Sequence, residues 1–276
     1  MANLRTLFRP SAYVAFARDR AHRWRDMLRL ARNWPLWIAR DLLRPVAAIA
    51  VTVRTRAGAG YQLADDPIDD RVLLHVAGPE GRSLYFPKGV APGEGDLILD
   101  IGAHAGIYAV EALRRYPRSH LIAVEPNPIS CARMRVNLGL NALDARVQVV
   151  QAAIGPRDGT GWLTPEAGGS WGDRGRSEPL REDPGLREIP LRTMQRVLAG
   201  ERPALIKCNA EGAEFEVFPQ LFAAGVRPRF VILMVHGREG SSRDLLDLFR
   251  KTGYDVQDAD APPHGRRFHC RLGPTS

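Results

Sequence analysis

Short apolar runs alternate with amphipathic stretches from residue 95 onward, and this alternation constrains the fold more than any other feature. Strands are expected at 97–101, 120–125, 146–151, 204–208 and 229–236, and helices at 106–115, 128–139, 213–224 and 242–252. Continuous apolar strands separated by amphipathic helices are typical of a parallel sheet that is covered on both faces. The sequence therefore predicts a doubly wound α/β fold, whose ligand lies beyond the carboxyl ends of the strands.

The first of these strands ends in the motif LILDIGAHAG at residues 97–106. Asp100 closes the strand, and Gly102 and Gly106 permit a tight turn in which backbone approaches a ligand. The helix that follows offers backbone N–H groups and the positive end of its dipole. A helix-capping aspartate with two turn glycines in a protein that binds something else is the alternative interpretation.

The second strand ends in Glu125, followed by Pro126 and Asn127, twenty-five positions after Asp100. An acid at this place is suited to accept both hydroxyls of a ribose. The glycine spacing is GxxxG rather than GxGxxG, so it does not form a cradle for a pyrophosphate. The two motifs together predict a nucleoside ligand without a diphosphate, namely S-adenosylmethionine.

Four stretches of the chain resemble the FkbM-type S-adenosylmethionine-dependent methyltransferases. They read LILDIGAHAGIYAVEAL, AVEPNPISCARMRVNLGLN, VQVVQAAIGPRDGTGWL and ALIKCNAEGAEFEVF, and they extend over residues 95–236. The resemblance implies a class I methyltransferase Rossmann-like fold, with S-adenosylhomocysteine as the product that remains after transfer. It also implies a cofactor site formed by Asp100, Gly102, Ala103, His104, Gly106, Glu125, Pro126, Asn127, Ala152, Ala153 and Asn209.

The resemblance also implies that the segment after the fourth strand faces the methyl group and its acceptor. Lys207, Asn209 and Glu211 belong to this segment, and His236 follows the fifth strand. His236 is the first candidate for a general base, because histidine commonly has this role near neutral pH; a histidine packed against the next loop is the alternative. Glu211 is the second candidate and could instead cap the following helix. Lys207 could contact the cofactor or pair with Glu211.

Several acidic positions of the family pattern are neutral or basic here. The family usually reads KIDVEGAE where this chain has KCNAEGAE, so Asn209 replaces an aspartate. Gln195 and Arg196 occupy an acidic pair, and Met234 stands where the family often has a glutamate. Magnesium prefers several carboxylate and water oxygens, so we expect no metal site. The missing carboxylates also leave three interpretations open. The pocket is less negative, catalysis has been lost, or the replaced acids were structural and their replacement has no functional effect.

These observations predict an S-adenosylmethionine-dependent methyltransferase. The expected reaction is metal-independent O-methylation of a hydroxyl on a small natural product or sugar. N-methylation of a natural product or peptide is the nearest alternative. A catalytically degenerate family member that acts as a binding or scaffold protein is the alternative from another class.

The basic charge of the chain is concentrated at its beginning. The net charge is +8, and residues 1–45 hold ten arginines and three aspartates, which give +7. A basic helical segment of this kind either packs on the main domain or contacts an anionic membrane surface or an acidic protein. The near-neutral remainder argues against nucleic acid as a partner. The oligomeric state is open, and a homodimer is compatible with the sequence.

We expect three parts in the chain. A basic amphipathic helical extension covers 1–45, a small antiparallel β cap covers 46–94, and the methyltransferase domain covers 95–276. The segment 155–188 is rich in glycine, proline and charge, which is typical of a lid-like loop over a site. The stretch RRFHCRL near the end of the chain predicts one of the last strands.

Cysteine usage and the lack of targeting signals favour a cytoplasmic protein. The three cysteines lie far apart and none belongs to a CxxC pair, which argues against a disulfide framework or a zinc site. No apolar run approaches the roughly 20 residues of a membrane span. The first residues also lack the apolar core of a signal peptide.

Overall fold

A computed structural model describes residues 10–44, 46–47, 49–64, 67–79, 81–166, 169–176, 186–236, 239–260 and 266–273. Within these ranges, no helix is long and apolar enough to cross a membrane.

A seven-stranded sheet forms the centre of the molecule. Its strands are β3 (Leu97–Ile101), β4 (His120–Val124), β5 (Val147–Val150), β10 (Pro203–Cys208), β11 (Phe230–Val235), β12 (Tyr254–Asp260) and β13 (Arg266–Leu272). They are ordered β12-β13-β11-β10-β3-β4-β5. Strand β13 pairs antiparallel with both of its neighbours, and the remaining pairs are parallel. This order and the single reversed strand are those of a class I methyltransferase, so the predicted fold class is confirmed.

Helices cover both faces of this sheet. They are α1 (Pro10–Leu30), α2 (Trp34–Leu43), α3 (Pro67–Ala77), α4 (Gly81–Tyr85), α5 (Ile107–Arg115), α6 (Pro128–Gly139), α7 (Met194–Leu198), α8 (Glu214–Ala223) and α9 (Glu239–Lys251). One core contains Ile98 and residues of α1 to α6. The other contains Leu97, Leu99 and residues of α7 to α9. Because side chains alternate along a strand, the apolar run of β3 supplies both cores.

The remaining strands form two small sheets. A hairpin pairs β1 (Val51–Arg54) with β2 (Gly60–Leu63). A four-stranded sheet has the order β6-β9-β7-β8 and contains β6 (Ala153–Ile154), β7 (Gly159–Glu166), β8 (Gly169–Arg176) and β9 (Arg187–Arg192). Much of the segment predicted as a lid-like loop therefore belongs to a sheet. The backbone of β8 lies against α3; residues 167–168 and 177–185 of the predicted loop lie outside the described residues.

The region predicted as a β cap contains the antiparallel hairpin of β1 and β2, followed by the two helices α3 and α4. Residues 71–76 (RVLLHV) and 83–87 (SLYFP) were expected to be strands, but they lie in α3 and in or just after α4. Short apolar runs do not distinguish a strand from a buried helix by periodicity alone. A proline at the first position of α3, with Asp69 and Asp70 in its first turn, is the helix-start signal that decides the type.

The N-terminal helices pack on the main domain through a buried carboxylate. Asp70 is 1% exposed and accepts hydrogen bonds from Trp37 Nε1 at 2.7 Å and from Arg40 Nη1 at 2.8 and 2.9 Å. Arg44 Nη2 donates to the same carboxylate. Buried charges are stable only when they are paired and hydrogen-bonded, so this network fixes α2 against α3. Of the two alternatives for the basic segment, packing on the main domain is therefore the one that α2 shows.

Removal of the Asp70 carboxylate should destabilise the protein strongly. Asp70→Ala leaves the Arg40 guanidinium buried without its carboxylate, which typically costs about 3–5 kcal/mol. The control Asp247→Ala breaks the exposed pair of Asp247 and Arg250, which should cost at most about 1 kcal/mol. Urea unfolding followed by circular dichroism measures both, and equal losses would contradict the structural role of Asp70.

Candidate functional site

A cavity of about 370 Å³ lies at the carboxyl ends of β3, β4 and β10. Chain connections leave β3 and β10 toward opposite edges of the sheet, so the cavity lies at the topological switch point, where doubly wound folds bind ligands. Its size lies within the usual range of small-molecule sites. The predicted site residues that line it are Gly102, Ala103, His104, Glu125, Pro126, Ala152, Ala153, Lys207, Asn209 and Glu211.

The turn after β3 requires glycine at two positions, because the loop after β10 and helix α6 approach its backbone closely. Gly102 has φ 72°, and a Cβ atom there would lie 1.8 Å from the carbonyl oxygen of Asn209. Gly106 also has φ 74°, and its Cβ would lie 2.5 Å from Cγ of Met134. Gly102 therefore allows the loop after β10 to reach the cavity. Gly106 allows α6 to pack against the start of α5.

Two backbone N–H groups orient the Glu125 carboxylate at the end of β4. Its Oε2 accepts from His104 N at 2.8 Å, and its Oε1 accepts from Asn127 N at 2.9 Å. These two bonds, one to each carboxylate oxygen, fix the orientation of the group. His104 has φ 50°, a left-handed conformation that a non-glycine residue rarely adopts.

An apolar wall lies beside this carboxylate. Val124, Ala152, Ala153 and Ile154 line the cavity there, and each of them is at most 9% exposed. The two alanines leave room for a flat ring that longer side chains would fill. The wall is therefore suited to the base of a nucleoside whose sugar contacts Glu125.

A buried ion pair joins β3 and β10 below the cavity. Lys207 Nζ donates to Asp100 Oδ1 at 2.8 Å and to the carbonyl oxygen of Gly102 at 2.7 Å. Burial acts to lower the pKa of Lys207, but the Asp100 carboxylate and other neighbours outweigh it, so this pKa is raised. Burial raises the pKa of Asp100 against the opposing effect of Lys207. The sequence left the partner of Lys207 open, and the structure pairs it with Asp100 rather than Glu211.

Next to α8, His236 lies between two glutamates, Glu211 and Glu214, of which Glu211 lines the cavity. His236 Nε2 lies 3.3 Å from Glu211 Oε1, and His236 Nδ1 lies 3.5 Å from Glu214 Oε1. The backbone N–H of His236 donates to Glu214 Oε1 at 2.5 Å. Burial acts to raise the pKa of Glu214, but the hydrogen bonds from His236 outweigh it, so this pKa is lowered. Glu211 has φ 48°, a strained conformation of the kind that clusters at functional sites.

The profile of the FkbM methyltransferase domain matches residues 100–256, which is more than half of the chain. The chain belongs to the FkbM methyltransferase family. The resemblance stated from the motifs is thus confirmed.

Two curated relatives are similar over parts of this chain. The AMB antimetabolite synthetase AmbE of Pseudomonas aeruginosa is 26% identical over 230 residues, which cover 68% of this chain and 11% of AmbE. The methyltransferase sdnD of Sordaria araneosa is 32% identical over 68 residues, which cover 25% of this chain and 26% of sdnD. The aligned residues therefore span about a tenth of the length of AmbE and about a quarter of the length of sdnD.

Two solved structures share part of the chain course. Precorrin-6y C5,15-methyltransferase of Geobacter metallireducens is 14% identical, has a TM-score of 0.46 and covers 70% of this chain and 88% of its own. The C-terminal domain of precorrin-6Y C5,15-methyltransferase of Rhodobacter capsulatus is 16% identical, has a TM-score of 0.41 and covers 66% and 81%. The strand order of the central sheet, rather than these alignments, identifies the fold.

Four predicted site residues lie off the cavity wall. Asp100 is fully buried beneath it in the pair with Lys207. Gly106 forms the N-cap of α5, and Asn127 forms the N-cap of α6 and accepts from Ile129 N at 2.9 Å. His236 lies behind Glu211. These four residues are therefore placed to position others, and their predicted roles in binding or catalysis stay predictions.

The sequence reasoning missed the wall formed by α3 and α4. Val72, His75 and Val76 of α3 and Tyr85 of α4 line the cavity, together with Tyr108 of α5. Only the packing of α3 across the sheet brings these side chains to the site, since no local motif places them there. The helix-start signal of α3 was the available hint.

Two of these missed residues connect the wall to a buried guanidinium. Arg267 of β13 is 1% exposed, and its Nη2 lies 2.7 Å from His75 Nε2. Its guanidinium carbon also lies 4.7 Å from the centre of the Tyr85 ring. Since a guanidinium is a donor only, it fixes His75 in the tautomer whose Nε2 accepts.

Gly102→Ala should destabilise the protein more than Gly95→Ala, a change at a glycine with a similar positive φ. Gly95 has φ 74°, and a Cβ atom there would meet nothing within 4 Å. Gly95→Ala should therefore cost about 1–2 kcal/mol, the price of a left-handed alanine. Gly102→Ala adds the contact with the Asn209 carbonyl and should lower the melting temperature further. Equal shifts of the two variants would contradict the close approach.

The stabilising effect of Glu214 should depend on pH. Because its folded pKa is lowered, its contribution to the free energy of unfolding is complete above its unfolded value of about 4.5 and is lost as pH falls through the folded pKa. The difference between the native chain and Glu214→Gln should thus be largest near neutral pH and shrink below pH about 4.5. Urea unfolding at several pH values measures it, and a difference that does not change with pH would contradict the lowered pKa.

Proposed function

We propose that this protein transfers the methyl group of S-adenosylmethionine to a hydroxyl of a small natural product or sugar, without a metal ion. The observation that carries the proposal is the Glu125 carboxylate, oriented by two backbone N–H groups beside the glycine turn at the switch point of the sheet. A carboxylate so placed is suited to the two hydroxyls of a ribose.

The residues around the cavity fit this cofactor in three respects. The turn at Gly102 leaves no side chain where a ligand would approach the backbone. Ala152 and Ala153 provide the apolar surface that an adenine ring requires. In the part of the chain that the structure describes, Asn209 Oδ1 is buried without a hydrogen-bond partner, and a donor of the bound cofactor would satisfy it.

The bound cofactor supplies a methyl group on a positively charged sulfur, so the protein's main task is to align the acceptor with it. Tyr108 and Tyr85 form an aromatic surface opposite the loop after β10. Burial raises the pKa of Tyr108 well above its usual value, so its hydroxyl remains a donor. Among the described residues this buried hydroxyl has no hydrogen-bond partner, and an oxygen of the acceptor would satisfy it.

Glu211 is the group best placed to accept the proton of the acceptor hydroxyl. It lines the cavity, whereas His236 contacts Glu211 from behind and also lies against Glu214. We therefore assign proton acceptance to Glu211 and a positioning role to His236. A general base that is held in place in this way typically contributes about 10²–10⁴-fold to the rate.

The name of one relative, AmbE, supports a small-molecule acceptor. AmbE is named as a synthetase of an antimetabolite and sdnD as a methyltransferase. Metal independence is proposed because Asn209 stands where the family usually has an aspartate, and magnesium prefers carboxylate oxygens.

Calorimetric binding of S-adenosylhomocysteine tests the cofactor half of the proposal. The native chain should bind with the same affinity with and without magnesium. Glu125→Ala should weaken binding about 10-fold or more, because a hydrogen bond to a charged group contributes about 1.5–3 kcal/mol. The control Glu216→Ala removes the same charge from an exposed position on the rim of the same cavity and should change the affinity by less than about 3-fold.

Absence of binding to the native chain, or equal effects of the two substitutions, would sink the cofactor assignment. A second assay then tests the reaction. Phenols, sugars and amines are offered with labelled S-adenosylmethionine, and label should appear on oxygen. Label on nitrogen would replace the proposal by N-methylation. Binding without any transfer would favour the degenerate family member that acts as a binding protein.

A further inference from the structure

The second helix of the chain, α2, buries two charged residues beside Trp37 and exposes three leucines. Arg40 and Asp41 of α2 are 2% and 7% exposed, whereas Leu36, Leu42 and Leu43 are 60%, 50% and 46% exposed. A surface helix normally turns its apolar stripe toward the core and its charged residues toward water. The leucines and the charged pair of α2 depart from this arrangement.

The exposed residues of α2 form one continuous apolar surface. Exposed positions between 35 and 47 are Pro35, Leu36, Ala39, Leu42, Leu43, Val46 and Ala47. At about 100° per residue, the five of them that belong to α2 cover roughly 120° of the helix circumference, and none of the seven is polar. Val46, just past the end of the helix, is 81% exposed. We call these seven residues the α2 face.

The packing of α2 on the main domain does not account for this surface. The inward side is occupied by Trp37 and by the bonds of Arg40 and Asp41 to Asp70, Arg20 and Trp24. Leucine and valine side chains on the opposite side contribute nothing to that network. Large contiguous apolar surfaces that face water commonly mark sites of interaction with a membrane or a protein.

Cationic side chains accompany the α2 face. Arg18, Arg25, Arg29 and Arg32 are exposed on or just after α1, which packs against α2. Asp19 is the acidic residue that is exposed on the described part of this helix. An apolar helix face next to exposed arginines is the combination that places a helix in the interface plane of an anionic bilayer.

We infer that the α2 face binds an anionic membrane surface, with Leu36, Leu43 and Val46 inserted at the level of the headgroups and the arginines of α1 against lipid phosphates. Exposed aliphatic side chains beside arginines match a lipid surface in both polarity and charge. This inference does not depend on the proposed methyl transfer, because the α2 face shares no residue with the cavity.

Sedimentation of the full chain with lipid vesicles tests this inference. The protein should bind vesicles of phosphatidylcholine and phosphatidylglycerol, bind pure phosphatidylcholine more weakly, and dissociate in part when salt is raised. Leu36→Ser/Leu43→Ser should weaken binding at least about 10-fold, since two large apolar groups no longer leave water. Arg25→Gln/Arg29→Gln should weaken binding to the anionic vesicles selectively.

A matched control uses exposed apolar residues elsewhere. Val136 and Leu140, on α6 and at its end, are 43% and 40% exposed, so Val136→Ser/Leu140→Ser should leave vesicle binding unchanged. Circular dichroism should show all variants folded, since each change is at an exposed position. Lack of binding to anionic vesicles, or equal effects of the α2 and control variants, would overturn the inference. A dimer that depends on Leu36 and Leu43, without vesicle binding, would assign the α2 face to a second copy instead.

Discussion

The buried ion pair of Lys207 and Asp100 is the interaction on which the rest of the site depends. The two residues are in register on neighbouring parallel strands, and Lys207 also binds the carbonyl oxygen of Gly102. One ammonium group therefore fixes both the end of β3 and the first residue of the glycine turn. That turn places Gly102 against Asn209 and His104 against Glu125. Asp100 belongs to the glycine motif that predicted ligand binding. It lies below the cavity, however, and its role there is structural.

The wall opposite the glycine turn depends on a different buried carboxylate. Asp70 at the start of α3 pairs with Arg40 of α2, and the next turns of α3 carry Val72 and His75 to the cavity. The N-terminal helices consequently support the site from behind, and none of their described side chains belongs to its lining.

The sequence predicted the central sheet well because its signals are local. The bounds of β3 agree residue for residue, α6 was expected at the residues it occupies, and Glu125 ends up beside the glycine turn. Continuous apolar runs and glycine turns carry this information within a few residues. Ten of the predicted site residues accordingly reach the cavity.

The sequence predicted the walls of the site poorly because their causes are long-range. The bond between Arg40 and Asp70 joins residues thirty positions apart, and the contact between Arg267 and His75 joins residues 192 positions apart. Neither partner can be found from spacing. The apolar runs of α3 and α4 fit a strand or a buried helix equally well, so the predicted β cap contained helices. The position of His236 behind Glu211 is likewise visible only in three dimensions.

A crystal structure of the full chain with S-adenosylhomocysteine is the most direct test of the central claim, that the cavity at the switch point holds this nucleoside. We predict the ribose hydroxyls on Glu125 and the adenine ring against Ala152 and Ala153, with the Lys207–Asp100 pair intact beneath. Density for the ligand elsewhere, or a ribose that does not touch Glu125, would contradict the account.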